Sequence, residues 1–348
     1  MIIFFYIAIG VFETLYSISC FRQVAGEPLT IFGGTVASIA AWAAYDNLVK
    51  CRFYECCTDK WIHFNQTGML ADFEQKLYGQ HLVENTVYAA IRGHLNNPNP
   101  EKALVLSFHG PTGCGKNHVS NMIRDNIFVK KEETKFAHWF HASRDFPHPQ
   151  HVDEYKEDIQ RQIEEAGRRC GRSLFVFDEV QLIAPGVLDA VKPYLDFHSN
   201  IHGIDFRKCI FIFLSDTGGH DIVQQAFKHW QQGYDRDQIK LVAMEATIMS
   251  KTVTDKGGLQ HSELILNNLI DHFVPFLPLE RRHVKLCVQD YYMKRRFGEQ
   301  ASEKFVDDVL NELQWFPKGQ SQLYSNQGCK RVAQKVDLHL NRLRRKEL

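Results

Sequence analysis

A glycine-rich loop at residues 110–117 narrows the range of folds for this chain more than any other segment. It reads Gly110, Pro111, Thr112, Gly113, Cys114, Gly115, Lys116 and Asn117. The loop follows an apolar run of strand length, 103–108, and precedes a segment of helical periodicity, which is the setting of a phosphate-binding loop. Glycines let backbone N–H groups turn towards a phosphate, and the helix N-terminus adds partial positive charge. We therefore predict an ATP site in which Lys116 contacts the β- and γ-phosphates.

Two acidic residues directly follow a second apolar run. Asp178 and Glu179 come after residues 173–177, and a parallel sheet delivers such side chains to its carboxyl edge, where a nucleotide binds. We predict that Asp178 holds Mg²⁺ through water and that Glu179 polarises the attacking water as the general base. Asn117 stands where such loops usually carry a Ser or Thr ligand of Mg²⁺, so its amide oxygen is the predicted replacement.

The order of apolar runs predicts an α/β fold. From about Phe73, runs of strand length at 103–108, 135–140, 173–177, 209–214 and 273–276 alternate with amphipathic helical segments. Most runs are too hydrophobic to be half exposed, which indicates a parallel sheet between helices. After Pro278 the periodicity is helical over 284–296, 301–313 and 328–343, which predicts a small helical lid. The predicted domains are a large nucleotide-binding domain, 51–272, and a helical C-terminal domain, 273–348.

The N-terminus carries two apolar segments. Residues 1–19 are apolar apart from Glu13 and a few small or hydroxylated side chains, which predicts a signal peptide. No Lys or Arg precedes this run, so an uncleaved anchor is the alternative. Residues 28–46 form a second, almost uncharged stretch whose length is at the lower limit for a membrane span. Because it contains two glycines, we predict that it lies in one leaflet, with a buried helix of the fold as the alternative.

Cysteine usage favours an oxidising compartment. Nine cysteines are many for a cytosolic enzyme, and a signal peptide would bring them to a lumen where disulfides persist. The tripeptide that begins at Asn65 is a sequon consistent with that compartment, which makes Asn65 a candidate glycan acceptor. A lumenal, membrane-associated protein is therefore the prediction.

From about Cys51 to Leu340 the chain resembles the torsin family of AAA+ ATPases. The residues that carry the resemblance are the loop ending in Asn117, residues 177–179 followed by 189–196, residues 211–215, residues 273–279, and Gly328-Cys329-Lys330. The stretch after the signal peptide also resembles the torsin membrane anchor. The resemblance implies a P-loop AAA+ domain followed by a helical lid, acting as a chaperone or remodeller of proteins or membranes in the lumen of the endoplasmic reticulum and nuclear envelope.

Further site residues are implied by the resemblance. AAA+ proteins place a polar, usually neutral sensor after the strand at 210–214, and that position is Asp216 here, where a carboxylate repels the γ-phosphate unless it is protonated or faces the metal. The Gly-Cys-Lys segment is expected to begin the last helix, with Lys330 contacting the γ-phosphate. In torsins its cysteine pairs with a lid cysteine, which corresponds to Cys329 with Cys287, either as a redox control or as a structural staple. A second implied disulfide joins Cys56 or Cys57 to Cys170.

The resemblance also implies an activating partner. Clp-type relatives carry an arginine finger in a segment Asn-Arg-Ile-Asp, and the matching position here is Leu269. Because such a finger accelerates hydrolysis by orders of magnitude, the chain alone is expected to hydrolyse ATP slowly. Torsins receive the arginine from the lumenal domain of a membrane-anchored activator of the lamina-associated polypeptide type. A homo-oligomer is also expected. Clp-type motors grip an unfolded chain with a pore loop that contains an aromatic residue next to glycine, and residues 144–149 contain no such pair.

Two other function classes remain as alternatives. A nucleotide-dependent scaffold or chaperone with little turnover is favoured by Asp216. A kinase of small molecules is disfavoured, because its function does not require the Gly-Cys-Lys segment. Nucleic acid is not a predicted partner, because 41 basic and 41 acidic residues cancel and leave no net positive charge.

Overall fold

The computed structural model describes residues 50–319 and 321–347. The predicted signal peptide and the 28–46 segment lie outside these residues, so both stay predictions. In the part of the chain that the structure describes, no helix combines the length and apolarity needed to cross a bilayer. Of the described residues, 50–56 belong to a unit separate from the one that begins at Cys57.

A five-stranded parallel sheet forms the centre of the larger unit. Its strands are β1 (Leu104–His109), β2 (Ala137–His141), β3 (Leu174–Asp178), β4 (Ile210–Ser215) and β5 (His272–Pro275), in the order β2-β3-β4-β1-β5. Every predicted strand is present within two residues of its predicted bounds. Since β1 lies between β4 and β5, the loop that follows β1 emerges at the carboxyl edge beside the end of β4.

Helices cover both faces of the sheet. They are α1 (Gln66–Lys76), α2 (His81–Asn96), α3 (Lys116–Ile127), α4 (Ala142–Asp145), α5 (Val152–Arg169), α6 (Lys192–Leu195), α7 (Gly219–Gln231), α8 (Leu241–Thr254) and α9 (Glu263–Leu266). Alternate residues of the strands enter two separate apolar clusters, with Phe211 and Phe213 on one face and Ile210 and Ile212 on the other. The predicted α/β class, with buried parallel strands between helices, is confirmed.

A smaller helical part follows the sheet. It contains α10 (Arg281–Arg295), α11 (Glu303–Asn311), a hairpin of β6 (Trp315–Phe316) and β7 (Tyr324–Ser325), and α12 (Val332–Glu347). Its own apolar cluster begins at Leu279. Because β5 pairs with β1, the predicted domain boundary at residue 273 is too early, and the helical part begins after the sheet ends. The last helix begins at Val332, so Gly328, Cys329 and Lys330 lie in the preceding turn and not in the helix as predicted.

Three disulfides occur among the described residues. Cys287 pairs with Cys329, and Cys57 pairs with Cys170, so both implied disulfides are confirmed and the alternative between Cys56 and Cys57 is decided. Cys56 instead pairs with Cys51 within the preceding unit. Two described cysteines, Cys114 and Cys209, are free and buried.

Candidate functional site

The predicted phosphate-binding loop connects β1 to α3. Two of its glycines have positive φ angles, +80° at Gly113 and +112° at Gly115, a backbone conformation that favours glycine. A β-carbon on Gly113 would lie 1.9 Å from the carbonyl oxygen of Gln327. The backbone N–H of Cys329 donates to the Gly113 carbonyl at 3.2 Å. The loop therefore touches the turn before α12, and this contact requires glycine.

Lys116, the first residue of α3, is held over the loop. Its Nζ donates to the carbonyl oxygens of Gly110 at 2.7 Å and Pro111 at 3.2 Å. It also lies 2.6 Å from Oδ1 of Asp216, the residue that follows β4. The hydroxyl of Thr112 donates to the other oxygen of this carboxylate at 2.8 Å. The predicted lysine and the predicted sensor are therefore in direct contact, through charge-assisted hydrogen bonds.

The candidate magnesium ligands lie side by side. The amide nitrogen of Asn117 donates to Oδ2 of Asp178 at 2.9 Å, and Oδ1 of Asp178 accepts from the backbone N–H of Glu179 at 2.9 Å. Carboxylate and amide oxygens are the protein ligands that Mg²⁺ takes beside the phosphates of a nucleotide. The donor set at Asn117 and Asp178 therefore fits Mg²⁺.

Glu179 occupies an unusual backbone position at the end of β3. Its φ angle is +58°, which is uncommon outside glycine and occurs at sites where the fold holds a side chain in a set direction. The hydroxyl of Ser143 donates to Oε2 of Glu179 at 3.2 Å. Ser143 belongs to α4, directly after β2, and the sequence alone did not single it out. A residue of the neighbouring strand–helix connection thus orients the predicted general base.

These side chains line one cleft of about 520 Å³ between the sheet and the helical part. The lining residues are Lys76, Leu77, Tyr78, residues 112–118, Asp178, Glu179, Asp216, Leu279, Cys287, Asp290, Tyr291, Lys294, Cys329, Lys330, Val332 and Ala333. The structure thus brings Lys116, Asn117, Asp178, Glu179, Asp216 and Lys330 to one place, while Gly110 and Pro111 take part through their carbonyl contacts with Lys116. The roles of these residues in catalysis stay predictions.

Buried His109 connects the loop to the region after β4. Its Nδ1 lies 3.1 Å from the carbonyl oxygen of Thr217, and its Nε2 lies 2.7 Å from the hydroxyl of Ser107. A carbonyl oxygen only accepts, so Nδ1 carries the proton and Nε2 accepts from Ser107. Burial lowers the pKa of His109 to about 4. The ring is therefore neutral at pH 7 and serves as a fixed connector.

Gln80 is a second buried connector that the sequence did not mark. It is 2% exposed and donates to the carbonyl oxygens of Cys114 at 3.0 Å and Leu277 at 2.8 Å. Its own carbonyl oxygen accepts from the backbone N–H of Leu277 at 2.9 Å. One side chain therefore joins the loop to the segment after β5.

Replacing Gln80 with leucine should lower the free energy of unfolding by about 2 kcal/mol, because buried backbone groups at Cys114 and Leu277 lose their partners. Denaturant unfolding of the two proteins measures this loss. Gln162→Leu is the matched control, since Gln162 is exposed on α5 away from the cleft, and it should change stability by less than about 0.5 kcal/mol. Equal losses in the two variants would contradict a special role for Gln80.

The two positions that correspond to features of classical Clp motors are both buried. Leu269, at the position of the arginine finger, is 3% exposed and packs in the core cluster of the large part. Phe146, the aromatic residue of the segment 144–149, is also buried; it stacks on Phe140 and makes an edge-to-face contact with Tyr155. Neither side chain is available to a neighbouring subunit or to a client without rearrangement.

Comparisons with known proteins find one family along most of the chain. The profile described as Torsin matches residues 51–177, and the profile described as Torsin-1A, C-terminal domain, matches residues 279–339. A Torsin-like protein of Caenorhabditis elegans is 44% identical over 315 residues, covering 89% of this chain and 88% of that protein. Torsin-3A of Homo sapiens is 38% identical over 295 residues, covering 84% of this chain and 74% of its own length.

Solved structures give an independent view of the fold. The chain resembles the S. cerevisiae Hsp104-ADP complex with a TM-score of 0.56 and 20% sequence identity. The match covers 80% of this chain and 47% of the Hsp104 chain, so this chain spans about half the length of that protein. At this identity the likeness establishes the AAA+ fold, in agreement with the prediction.

Proposed function

This chain belongs to the torsin family of AAA+ proteins, and we propose that it is an ATP-binding, cofactor-activated ATPase that remodels proteins or membranes. The observation that carries the proposal is the convergence of Lys116, Asp178 and Glu179 with Lys330 in one cleft. A lysine at the start of a helix, an acid beside the metal position and a second acid next to it are the groups that phosphoryl transfer to water requires.

Each group has one proposed task. Lys116 and the backbone N–H groups of the loop bind the phosphates, because both present positive charge at the end of β1. Asn117 and Asp178 hold Mg²⁺, which when bound offsets the negative charge on the phosphates. Glu179 accepts a proton from the attacking water, with Ser143 fixing its orientation. Lys330, at the mouth of the cleft, contacts the γ-phosphate from the helical part.

The charges available in the cleft support the proposal that a partner activates this chain. Among the described lining residues, the permanent cations are four lysines and there is no arginine. The position that carries the arginine finger in Clp-type relatives is the buried Leu269. We propose that the lumenal domain of a membrane-anchored activator, of the lamina-associated polypeptide type, supplies the missing arginine at the interface with this chain, which acts as part of an oligomer.

The proposed location is the lumen of the endoplasmic reticulum and nuclear envelope, with peripheral membrane association. Three disulfides among the described residues support an oxidising compartment. Asn65 is exposed at the N-cap of α1, where its side-chain oxygen accepts from the backbone N–H of Gly68 at 3.0 Å. That hydrogen bond uses the oxygen and not the nitrogen to which a glycan attaches, so the position is compatible with glycosylation.

A scaffold that binds nucleotide with little turnover is the second candidate. The contact between Asp216 and Lys116 favours it, because the carboxylate is paired with the lysine that would otherwise bind phosphate. The two candidates differ in what an activator does. An activated enzyme turns over when the partner is present, whereas a scaffold keeps its nucleotide intact.

The experiment that tests the proposal measures ATP turnover by the purified protein, alone and with the activator's lumenal domain. We expect slow turnover alone and a stimulation of at least about tenfold with the activator, because an added arginine stabilises transition-state charge. An activator whose interface arginine is replaced by alanine is the matched control and should not stimulate. Tight ATP binding without turnover in any mixture would contradict the enzyme and favour the scaffold.

A further inference from the structure

The carboxylate of Asp216 makes two contacts with the phosphate-binding loop at once. Oδ1 lies 2.6 Å from Nζ of Lys116, and Oδ2 accepts from the Thr112 hydroxyl at 2.8 Å. The backbone N–H of Asp216 donates in turn to the side chain of Gln181 at 3.1 Å, which fixes the position of the acid. The side chain of Lys116 is 11% exposed and that of Asp216 is 42% exposed. The acid therefore covers the lysine from the open side of the cleft.

We infer that Asp216 acts as an internal competitor of the nucleotide: its carboxylate occupies Lys116 and Thr112 in place of a phosphate group, and ATP must displace it to bind. This inference rests on the proposed function and specifies how the same site is regulated. A carboxylate offers two acceptor oxygens and a negative charge, as a phosphate does, so the lysine ammonium and the threonine hydroxyl can donate to either partner.

Displacement of Asp216 has an electrostatic cost. Once phosphates take Lys116, the carboxylate loses its cation and remains close to several negative oxygens, and like charges at such distances repel. The cleft lining offers no surplus of positive charge, because its four lysines are matched by Asp178, Glu179, Asp216 and Asp290. A neutral residue at position 216 would release Lys116 and remove the repulsion at the same time.

A divalent cation should reduce this cost. Mg²⁺ held near Asn117 and Asp178 adds two positive charges to a cleft that otherwise becomes strongly negative when a nucleotide enters. Nucleotide binding by this chain should therefore depend on Mg²⁺ more strongly than binding by a variant that lacks the Asp216 charge. The competitor thus links the affinity for nucleotide to the presence of the metal.

The test compares the affinity of the full chain and of Asp216→Asn for ADP and for a non-hydrolysable ATP analogue, by calorimetry, with Mg²⁺ and with EDTA. We expect Asp216→Asn to bind the ATP analogue about tenfold more tightly with Mg²⁺, which corresponds to about 1.4 kcal/mol. The gain should be larger in EDTA. Because asparagine has the same shape and the position is partly exposed, the variant should fold, which circular dichroism checks.

Two controls separate charge at this position from other effects. Asp216→Glu keeps the carboxylate and should gain no affinity. Asp221→Asn removes a charge on α7 that pairs with Lys251 at 3.3 Å outside the cleft, and it should bind as the unchanged protein does. Equal or weaker binding by Asp216→Asn in both conditions would overturn the inference while leaving ATP binding intact. If no protein of the set binds either nucleotide, the proposed ATP-binding function itself fails.

Discussion

Replacing both Cys57 and Cys170 with alanine should lower the free energy of unfolding by about 5 kcal/mol. Their disulfide joins residues separated by 113 positions, and in the chain-entropy description a loop of that size restricts the unfolded chain by about 5 kcal/mol at 25 °C. The closed loop contains the phosphate-binding loop, α3 and β2, so much of the nucleotide-binding region lies within it. Guanidinium unfolding followed by circular dichroism measures the loss.

The matched control is the double replacement of Cys51 and Cys56. That disulfide joins residues only five positions apart, so its removal should cost at most about 2 kcal/mol. Cys170 is buried, and alanine there leaves only a small unfilled volume. The free-energy cost of that volume is smaller than the cost of releasing the constraint on the unfolded chain. Equal losses in the two double variants would show that loop length does not determine the stabilisation.

The sheet and the placement of Asp178 and Asp216 at its edge were predictable, because the sequence signals for the strands and the loop are local. A strand buried on both faces must be apolar at every position, so β4 can be recognised without knowledge of its neighbours. The phosphate-binding loop is likewise defined by glycine spacing and by its position between a strand and a helix. Chain order then places Asp178 and Asp216 at the same carboxyl edge, since parallel strands end on the same side of a sheet.

The start of the last helix was not predictable, because a distant contact determines it. Gly328 has a φ angle of +50°, and a β-carbon there would lie 2.0 Å from the carbonyl oxygen of Gly113. The turn is thus held against the phosphate-binding loop, and the helix begins only at Val332. Local periodicity alone extends the helix backwards through Lys330. The residue types at Ser325, Asn326 and Gly328 favour a turn, but they do not fix the residue at which the helix starts.

Buried polar connectors were missed for a related reason. Arg236 lies in a charged segment typical of a solvated surface, yet its side chain is 4% exposed. It donates to the carbonyl oxygens of Gly79 and Pro278, the second at 2.7 Å, and lies 3.5 Å from a carboxylate oxygen of Glu280. These partners come from two parts of the chain, both distant in sequence from Arg236. A buried charge is tolerated only when such partners meet, which requires the folded structure.

Replacing Glu179 with glutamine should lower activator-stimulated ATP turnover by about a thousandfold, within the range of 10²–10⁴ typical for the loss of a positioned general base. Glutamine has the same shape and still accepts the hydrogen bond from Ser143, but its amide does not accept a proton from water. The affinity for ATP should stay within about threefold, because Lys116 and Asp178 are unchanged and the variant loses only one negative charge. Turnover and calorimetric affinity, measured on the same preparation, give both numbers.

Asp178→Asn is the informative comparison, because the two acids have different proposed tasks. Loss of the Asp178 carboxylate weakens the hold on Mg²⁺, so this variant should lose ATP affinity in Mg²⁺, and the loss should shrink when EDTA removes the metal. Glu179→Gln should show the reverse pattern, with binding kept and hydrolysis lost. If Glu179→Gln retains full stimulated turnover, another group accepts the proton. A loss of ATP affinity in Glu179→Gln would instead assign this carboxylate to the binding of nucleotide or metal. Both acids would then act in binding, as expected of a scaffold and not of an enzyme.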